Sequence, residues 1–181
     1  STSYTNGEPG VSRYFQSSSW KAILSASYVF REVQDTRKQR AFISADIEYI
    51  NHRASRFSSD NEEPTENELA YFKTLNKVVK QEFKGTFNFK LGGEVKFNTF
   101  MTRLGVAYYG SPYKDKSLKG NYTLLSGGIG YRNKGYFIDL TYIYNVKKDV
   151  NFPYRLQDRA NTFATLKQQQ GNIVMSFGCK F

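Results

Sequence analysis

Asp46 and Glu48 stand two residues apart in the stretch "SADIEY" (44–49), and a period of two puts both carboxylates on one face of an extended strand. Two carboxylates on one face could work as a general acid and base. No nucleophile and no histidine accompanies them, and both follow a longer polar stripe, so the chain is expected not to be an enzyme. The only histidine, His52, falls at a strand end and reads as a rim residue. The only cysteine, Cys179, rules out an internal disulfide, and its thiol in an apolar setting would resist ionisation. One His and one Cys leave no Cys/His zinc set, so neither metal nor cofactor is expected.

The polar stripe depends on strands. Trp20–Arg31 places Trp20, Ala22, Leu24, Ala26, Tyr28 and Phe30 on one face and Lys21, Ile23, Ser25, Ser27, Val29 and Arg31 on the other. Ala41–Asn51, Gly85–Phe97, Phe100–Tyr109, Tyr122–Arg132, Tyr136–Asn145 and Gly171–Phe181 alternate in the same way. In Gly85–Phe97 the apolar face is Phe87, Phe89, Leu91, Val95 and Phe97, against Thr86, Asn88, Lys90, Glu94 and Lys96. The result is about seven strands of roughly ten or eleven residues, the length of a tilted membrane-spanning strand.

The 181 residues suffice for one domain. Hydrophobic residues make up only 39% while aromatic ones reach 17%, so the rings need a place suited to amphipathic groups. The net charge of +10 fits nucleic acid, an anionic lipid surface or lipopolysaccharide phosphates, and equally fits solvated loops. Nucleic acid is the least favoured partner, because the aromatic faces are nearly free of Lys and Arg. No apolar run approaches the roughly 20 residues of a membrane helix, and no signal peptide is visible. The chain starts at Ser1 without Met, which predicts a processed or partial product.

Connections alternate in length. Residues 32–39, 98–99 and 133–135 are short, whereas 52–83, 110–121 and 146–165 are long and polar. Short turns at one end and long loops at the other are the outer-membrane barrel pattern, with one face towards lipid and the other towards a lumen. Trp20, Tyr49, Tyr108, Tyr142 and Tyr144 then fall near an outer rim, and Tyr28, Phe30, Phe97, Phe100, Tyr131, Tyr136 and Phe181 near an inner one. A soluble β-sandwich also alternates but leaves the loop asymmetry unexplained. Within 52–83, Leu69, Phe72, Leu75, Val79 and Phe83 recur at helical spacing after Pro64 and Thr65, predicting an amphipathic helix over about 66–83 that lies over the barrel mouth. Residues 1–16 are expected to be loop or linker, leaving 17–181 as the barrel segment.

The stretches "ISADIEYINH" (43–52), "FNFKLGGEVKF" (87–97), "TRLGVAYYGSPY" (102–113) and "SGGIGYRNKGYFIDLTYIY" (126–144) carry a resemblance. Over roughly 17–181 the chain resembles the C-terminal part of FadL/TodX-like outer-membrane transporters of the Bacteroidetes type. The ending that includes Phe177 and Phe181 resembles the signal read by the barrel-assembly machinery. The resemblance implies a transmembrane antiparallel β-barrel of which this is the C-terminal half, about seven strands of fourteen, with one helical extracellular loop. It implies passive uptake of hydrophobic small molecules, of the long-chain fatty acid or aromatic hydrocarbon class. Family members carry an N-terminal hatch and often a lateral opening; this chain has about half the strands and no hatch. Its odd strand count cannot close alone, so the other half of the barrel is an expected partner, together with outer-membrane lipid and lipopolysaccharide.

Strand direction and period sort the inward face by height. Ile23, Ile50, Tyr109, Tyr122, Leu124 and Ile143 fall near the outer mouth, where Leu75 and Val79 of the loop helix would complete a landing site for an apolar ligand. Arg31, Asp46, Glu94, Lys96, Arg103, Arg132, Asp139 and Lys180 fall lower, as a polar network in which Glu94 and Arg103 are the natural pair. The loop cations Lys114, Lys116, Lys119, Lys147, Lys148, Arg155 and Arg159 would face lipopolysaccharide phosphates or solvent. Two alternatives stand beside transport: a FadL-like barrel that anchors or shuttles within a secretion or surface-protein complex, and a small eight-stranded barrel completed by residues 1–16.

Overall fold

A computed structural model describes residues 13–30, 40–151, 153 and 163–179. The described residues form nine strands and one α-helix: β1 (Tyr14–Ser17), β2 (Lys21–Phe30), β3 (Ala41–Asn51), β4 (Arg56–Ser59), α1 (Glu66–Glu82), β5 (Gly85–Phe97), β6 (Phe100–Tyr109), β7 (Tyr122–Arg132), β8 (Tyr136–Asn151) and β9 (Ala164–Cys179).

Seven strands make one sheet in the order β2-β3-β5-β6-β7-β8-β9, and every neighbouring pair is antiparallel. The sheet is open, with β2 and β9 as its edges. Each strand pairs with the next of the sheet along the chain, and two of the connections are tight turns. Asn98 and Thr99 join β5 to β6, and Asn98 takes a φ of 54°, a left-handed conformation that asparagine tolerates. At the other tight turn the Asn133 N–H donates to the Tyr136 carbonyl at 3.0 Å.

Burial in this sheet is inverted. Among the described residues the buried hydrophobic side chains are Val79 and Met101, whereas Glu48, Thr86, Asn88 and Glu94 are also buried. The large apolar residues of the opposite face are exposed, from Leu24 and Tyr28 through Phe87, Leu104 and Ile129 to Ile173 and Phe177. A sheet with so largely apolar an exposed face needs a second layer or an apolar medium against it. Rings cluster at both ends of that face. Trp20, Tyr49 and Phe87 lie in a row at the loop end, with centroids 5.5 and 4.9 Å apart. Phe100, Tyr131 and Tyr136 lie at the turn end, 5.1 and 5.9 Å apart.

The expected strand bounds hold for β3, β5, β6 and β7, and three corrections follow elsewhere. First, 146–165 is not all loop: β8 runs on to Asn151 and β9 starts at Ala164, so Lys147 and Lys148 belong to a strand. These segments are polar on both faces and are held by ladder hydrogen bonds without an apolar stripe, so their periodicity is silent. Second, residues 14–16 are not loop: they lie in β1, which pairs with β4 in a separate two-stranded sheet. β1 therefore does not supply an eighth strand to the large sheet. Third, the segment 52–83 contains more than a helix, since a 3-10 turn (His52–Ala54) and β4 precede α1. The turn 32–39, Arg31, Arg155, Arg159, Lys180 and Phe181 lie outside the described residues. No helix among the described residues is long and apolar enough to cross a membrane.

Candidate functional site

The polar face of the sheet carries two side-chain clusters at different heights. The lower is centred on Arg103 of β6. Its guanidinium donates to the Glu94 carboxylate on β5 through Nε and, at 3.0 Å, to the Asp139 carboxylate on β8 through Nη1. Lys96 Nζ lies 3.7 Å from the other oxygen of Glu94. Arg103 and Glu94 are directly opposite in the β5–β6 register, which a two-residue turn sets. Asp139 lies two strands away from Arg103, beyond β7. The guanidinium reaches it because β7 offers Gly128 opposite Arg103 and Gly130 opposite Asp139. A Cβ at Gly130 would collide with the Asp139 carboxylate and stand 2.7 Å from Met101 Cγ. Met101 is buried beneath, with its sulfur 2.9 Å from Arg103 Nη2.

The expected pairing of Glu94 with Arg103 is present, and Lys96 and Asp139 join it. The structure does not gather the rest of the expected network. Arg132 sits at the turn end of β7, exposed, with its guanidinium 5.3 Å from the Phe137 ring centroid. Asp46 faces Lys90 across the β3–β5 register, but the Lys90 ammonium turns to Glu48 instead, at 3.5 Å.

That choice belongs to the upper cluster. The Asn88 amide donates to Glu48 Oε1 at 2.8 Å, and the Gly110 N–H donates to Asn88 Oδ1 at 3.1 Å. Lys90 Nζ also lies 5.7 Å from the centroid of the Tyr109 ring, which stacks on Tyr122 at 4.2 Å with only 10° between planes. A single carboxylate is thus enclosed by an amide and an ammonium beside two stacked rings. Tyr109 and Tyr122 are expected ligand contacts, whereas alternation puts Asn88 and Lys90 on the polar face without assigning them a role. Asn88 and Glu48 share that face, but the register that sets them opposite needs the β3–β5 pairing across the 52–84 excursion.

Between the clusters lies a shallow groove of about 330 Å³ floored by Ser44, Gly92, Gly105 and Ser126, with Leu124 and Ile143 on its wall. Two pairs of the expected ligand contacts are therefore brought together, Tyr109 with Tyr122 and Leu124 with Ile143. Ile23 and Ile50 share the face but lie on β2 and β3, away from those pairs.

Leu75 and Val79 do not complete this site, which corrects the expectation. α1 packs on β4 and on the 3-10 turn rather than across the polar face of the sheet. Asn76 fixes that position: its amide oxygen accepts from the Phe57 N–H and its amide nitrogen donates to the Phe57 carbonyl, both at 2.8 Å. Thr65 caps the helix in a capping box with Glu68. The carboxyl of Glu68 is held below the ordinary carboxylate range by hydrogen bonds from the Thr65 backbone N–H and the Asn61 amide. His52, in the 3-10 turn, is pushed below the usual imidazole range by burial. Cys179 is exposed at the end of β9, paired across from Tyr136, and Phe177 is exposed on the apolar face of the same strand. No set of three or more His, Cys, Asp or Glu side chains that could hold a metal ion occurs among the described residues.

Comparison with known protein families, curated proteins and solved structures finds no match to this chain.

Proposed function

We propose that this chain is a wall segment of a transmembrane β-barrel in the bacterial outer membrane, and that the barrel admits hydrophobic small molecules by passive diffusion. The supporting observation is the inverted burial: large apolar side chains exposed along most of one face, ion pairs and amides enclosed on the other. Lipid is the medium that accepts such an apolar face, and ring clusters at both its ends match two headgroup layers. The two free edges, β2 and β9, call for further strands, and the resemblance to FadL/TodX-like transporters supplies them as an N-terminal half of the same barrel. In this reading the stacked tyrosines and the groove below them receive an apolar ligand of the long-chain fatty acid or aromatic hydrocarbon class. The Arg103 cluster makes the lower wall polar.

A second reading has its own observation. Leu69, Tyr71 and Val78 of α1 are exposed, on a helix held out from the sheet by β4. Such a helix suits a barrel that anchors a surface or secretion partner.

Cell fractionation followed by electrophoresis with and without boiling tests the proposal. An outer-membrane band that shifts on heating and is larger than 181 residues supports the large barrel. A shifting band of the chain's own size replaces it with a small self-contained barrel. A soluble, non-shifting protein overturns the membrane reading.

A further inference from the structure

We infer that the cleft between α1 and β4 is a binding site for the phosphate groups of a lipid A-type glycolipid; this rests on the outer-membrane reading above. The cleft has a volume of about 520 Å³ and is lined by Arg56, Lys73, Thr74, Asn76, Lys77 and Lys80. Four of the six carry positive charge and none carries negative charge. All four cations are exposed, and none forms an ion pair among the described residues.

The placement of the lysines is unfavourable to the helix alone. Lys73 and Lys77 are four residues apart and Lys77 and Lys80 three apart, spacings at which like charges repel. Lys80, in the last turn, has a local reason to be there, because a cation suits the C-terminal end of a helix. Lys73 and Lys77 have no such reason, and a bound anion relieves the repulsion. The walls are set before any ligand arrives: the paired hydrogen bonds of Asn76 to Phe57 tie the helix to β4, and the ring of Phe57 packs on Tyr14 at 5.7 Å. Arg56 offers a planar fork and the lysines point charges, a combination suited to more than one phosphate.

Position selects the occupant. Tyr49, in the ring cluster at the loop end, precedes Arg56 by seven residues, three of them in the 3-10 turn. The chain can therefore carry Arg56 at most about 20 Å beyond that cluster. With the rings at the outer interface, the cleft lies within reach of the headgroup layer, where clustered cations recognise phosphorylated lipid.

The test uses the native protein in neutral detergent, titrated with diphosphoryl lipid A and with the same lipid after dephosphorylation. The expected result is binding of the phosphorylated lipid that weakens about tenfold or more in the K73Q/K77Q/K80Q variant, and that weakens with added salt. A K134Q variant, altered in the tight turn between β7 and β8 at the opposite end of the sheet, is expected to bind within about twofold of the native protein. The heat shift on electrophoresis shows that each variant is folded. Unchanged affinity in a folded cleft variant overturns the inference, and so does equal binding of the dephosphorylated lipid. Displacement of the lipid by about millimolar inorganic phosphate assigns the cleft to a free anion and overturns the lipid assignment. A heat-shifting barrel whose cleft variant still binds overturns this inference alone, whereas a soluble protein overturns the membrane reading on which it rests.

Discussion

The lower and upper clusters of the polar face solve one problem in two ways. Around Arg103, charge answers charge: one guanidinium and one ammonium meet two carboxylates on three strands. Around Glu48, one carboxylate is satisfied largely by the neutral amide of Asn88, with Lys90 sharing itself between Glu48 and the Tyr109 ring. The first arrangement is rigid and charge-dense. The second leaves stacked rings and aliphatic walls available beside a masked charge. An apolar ligand therefore gains from the upper region and nothing from the lower, which is why the ligand site is proposed above and a polar wall below.

Removing Arg103 is the strongest way to break this contrast. Arg103→Ala leaves Glu94 buried with Lys96 alone and Asp139 without its cation. Breaking a fully buried pair costs about 3–5 kcal/mol, and because Arg103 is 39% exposed the expected loss is about 2–3 kcal/mol in urea unfolding of the detergent-solubilised protein. Arg103→Lys is expected to recover part of it. Glu48→Gln should cost far less, since Asn88 keeps a hydrogen-bonding partner.

Gly130→Ala tests whether the glycine of β7 is what lets β6 reach β8. The added Cβ meets Asp139 and buried Met101, and overpacking of this kind costs about 1–3 kcal/mol. The same substitution at Gly135, where a Cβ meets nothing within 4 Å, is the matched control. Asn76→Ala separates the sheet from the excursion. Loss of both bonds to Phe57 is expected to cost about 1–3 kcal/mol locally, read as faster hydrogen exchange and protease nicking within 56–84 while the unfolding midpoint of the sheet holds.

In the upper region, Tyr109→Ala removes one of the stacked rings. It is expected to weaken binding of a fluorescent fatty acid by about three- to tenfold, and to lower stability by the roughly 1 kcal/mol of the ring pair together with the loss of the ring's half-buried area. Unchanged binding would move the ligand site elsewhere.

The smallest effect is one of pH. The folded-state pKa of Glu68 lies below its unfolded value, so its contribution to the helix N-terminus is fully present above the unfolded value of about 4.3. It is lost as pH falls through the lower folded value. Exchange of the Glu68 and Leu69 amides should quicken over that interval, and a Glu68→Ala variant should show fast exchange at every pH.

Alternation by itself determined the seven long strands, the segregation of their faces and the partner of Glu94. A face that must be uniform forces a period of two, and a two-residue turn between β5 and β6 leaves one register, which sets Glu94 against Arg103. Helical spacing placed α1 over about 66–83, within a residue of its end at Glu82. What it left undecided has a common physical origin: contacts whose partners are distant in sequence and carry no periodic signal. The reach of Arg103 to Asp139 depends on two glycines in an intervening strand. The extension of β8 and β9 depends on backbone ladders between segments that are polar on both faces. Most plainly, Leu75 and Val79 have the spacing of a helix that must bury one side, but spacing cannot say against what. Only the folded chain, by pairing β1 with β4 and clamping Phe57 to Asn76, turned that side away from the groove and left the lysines facing out.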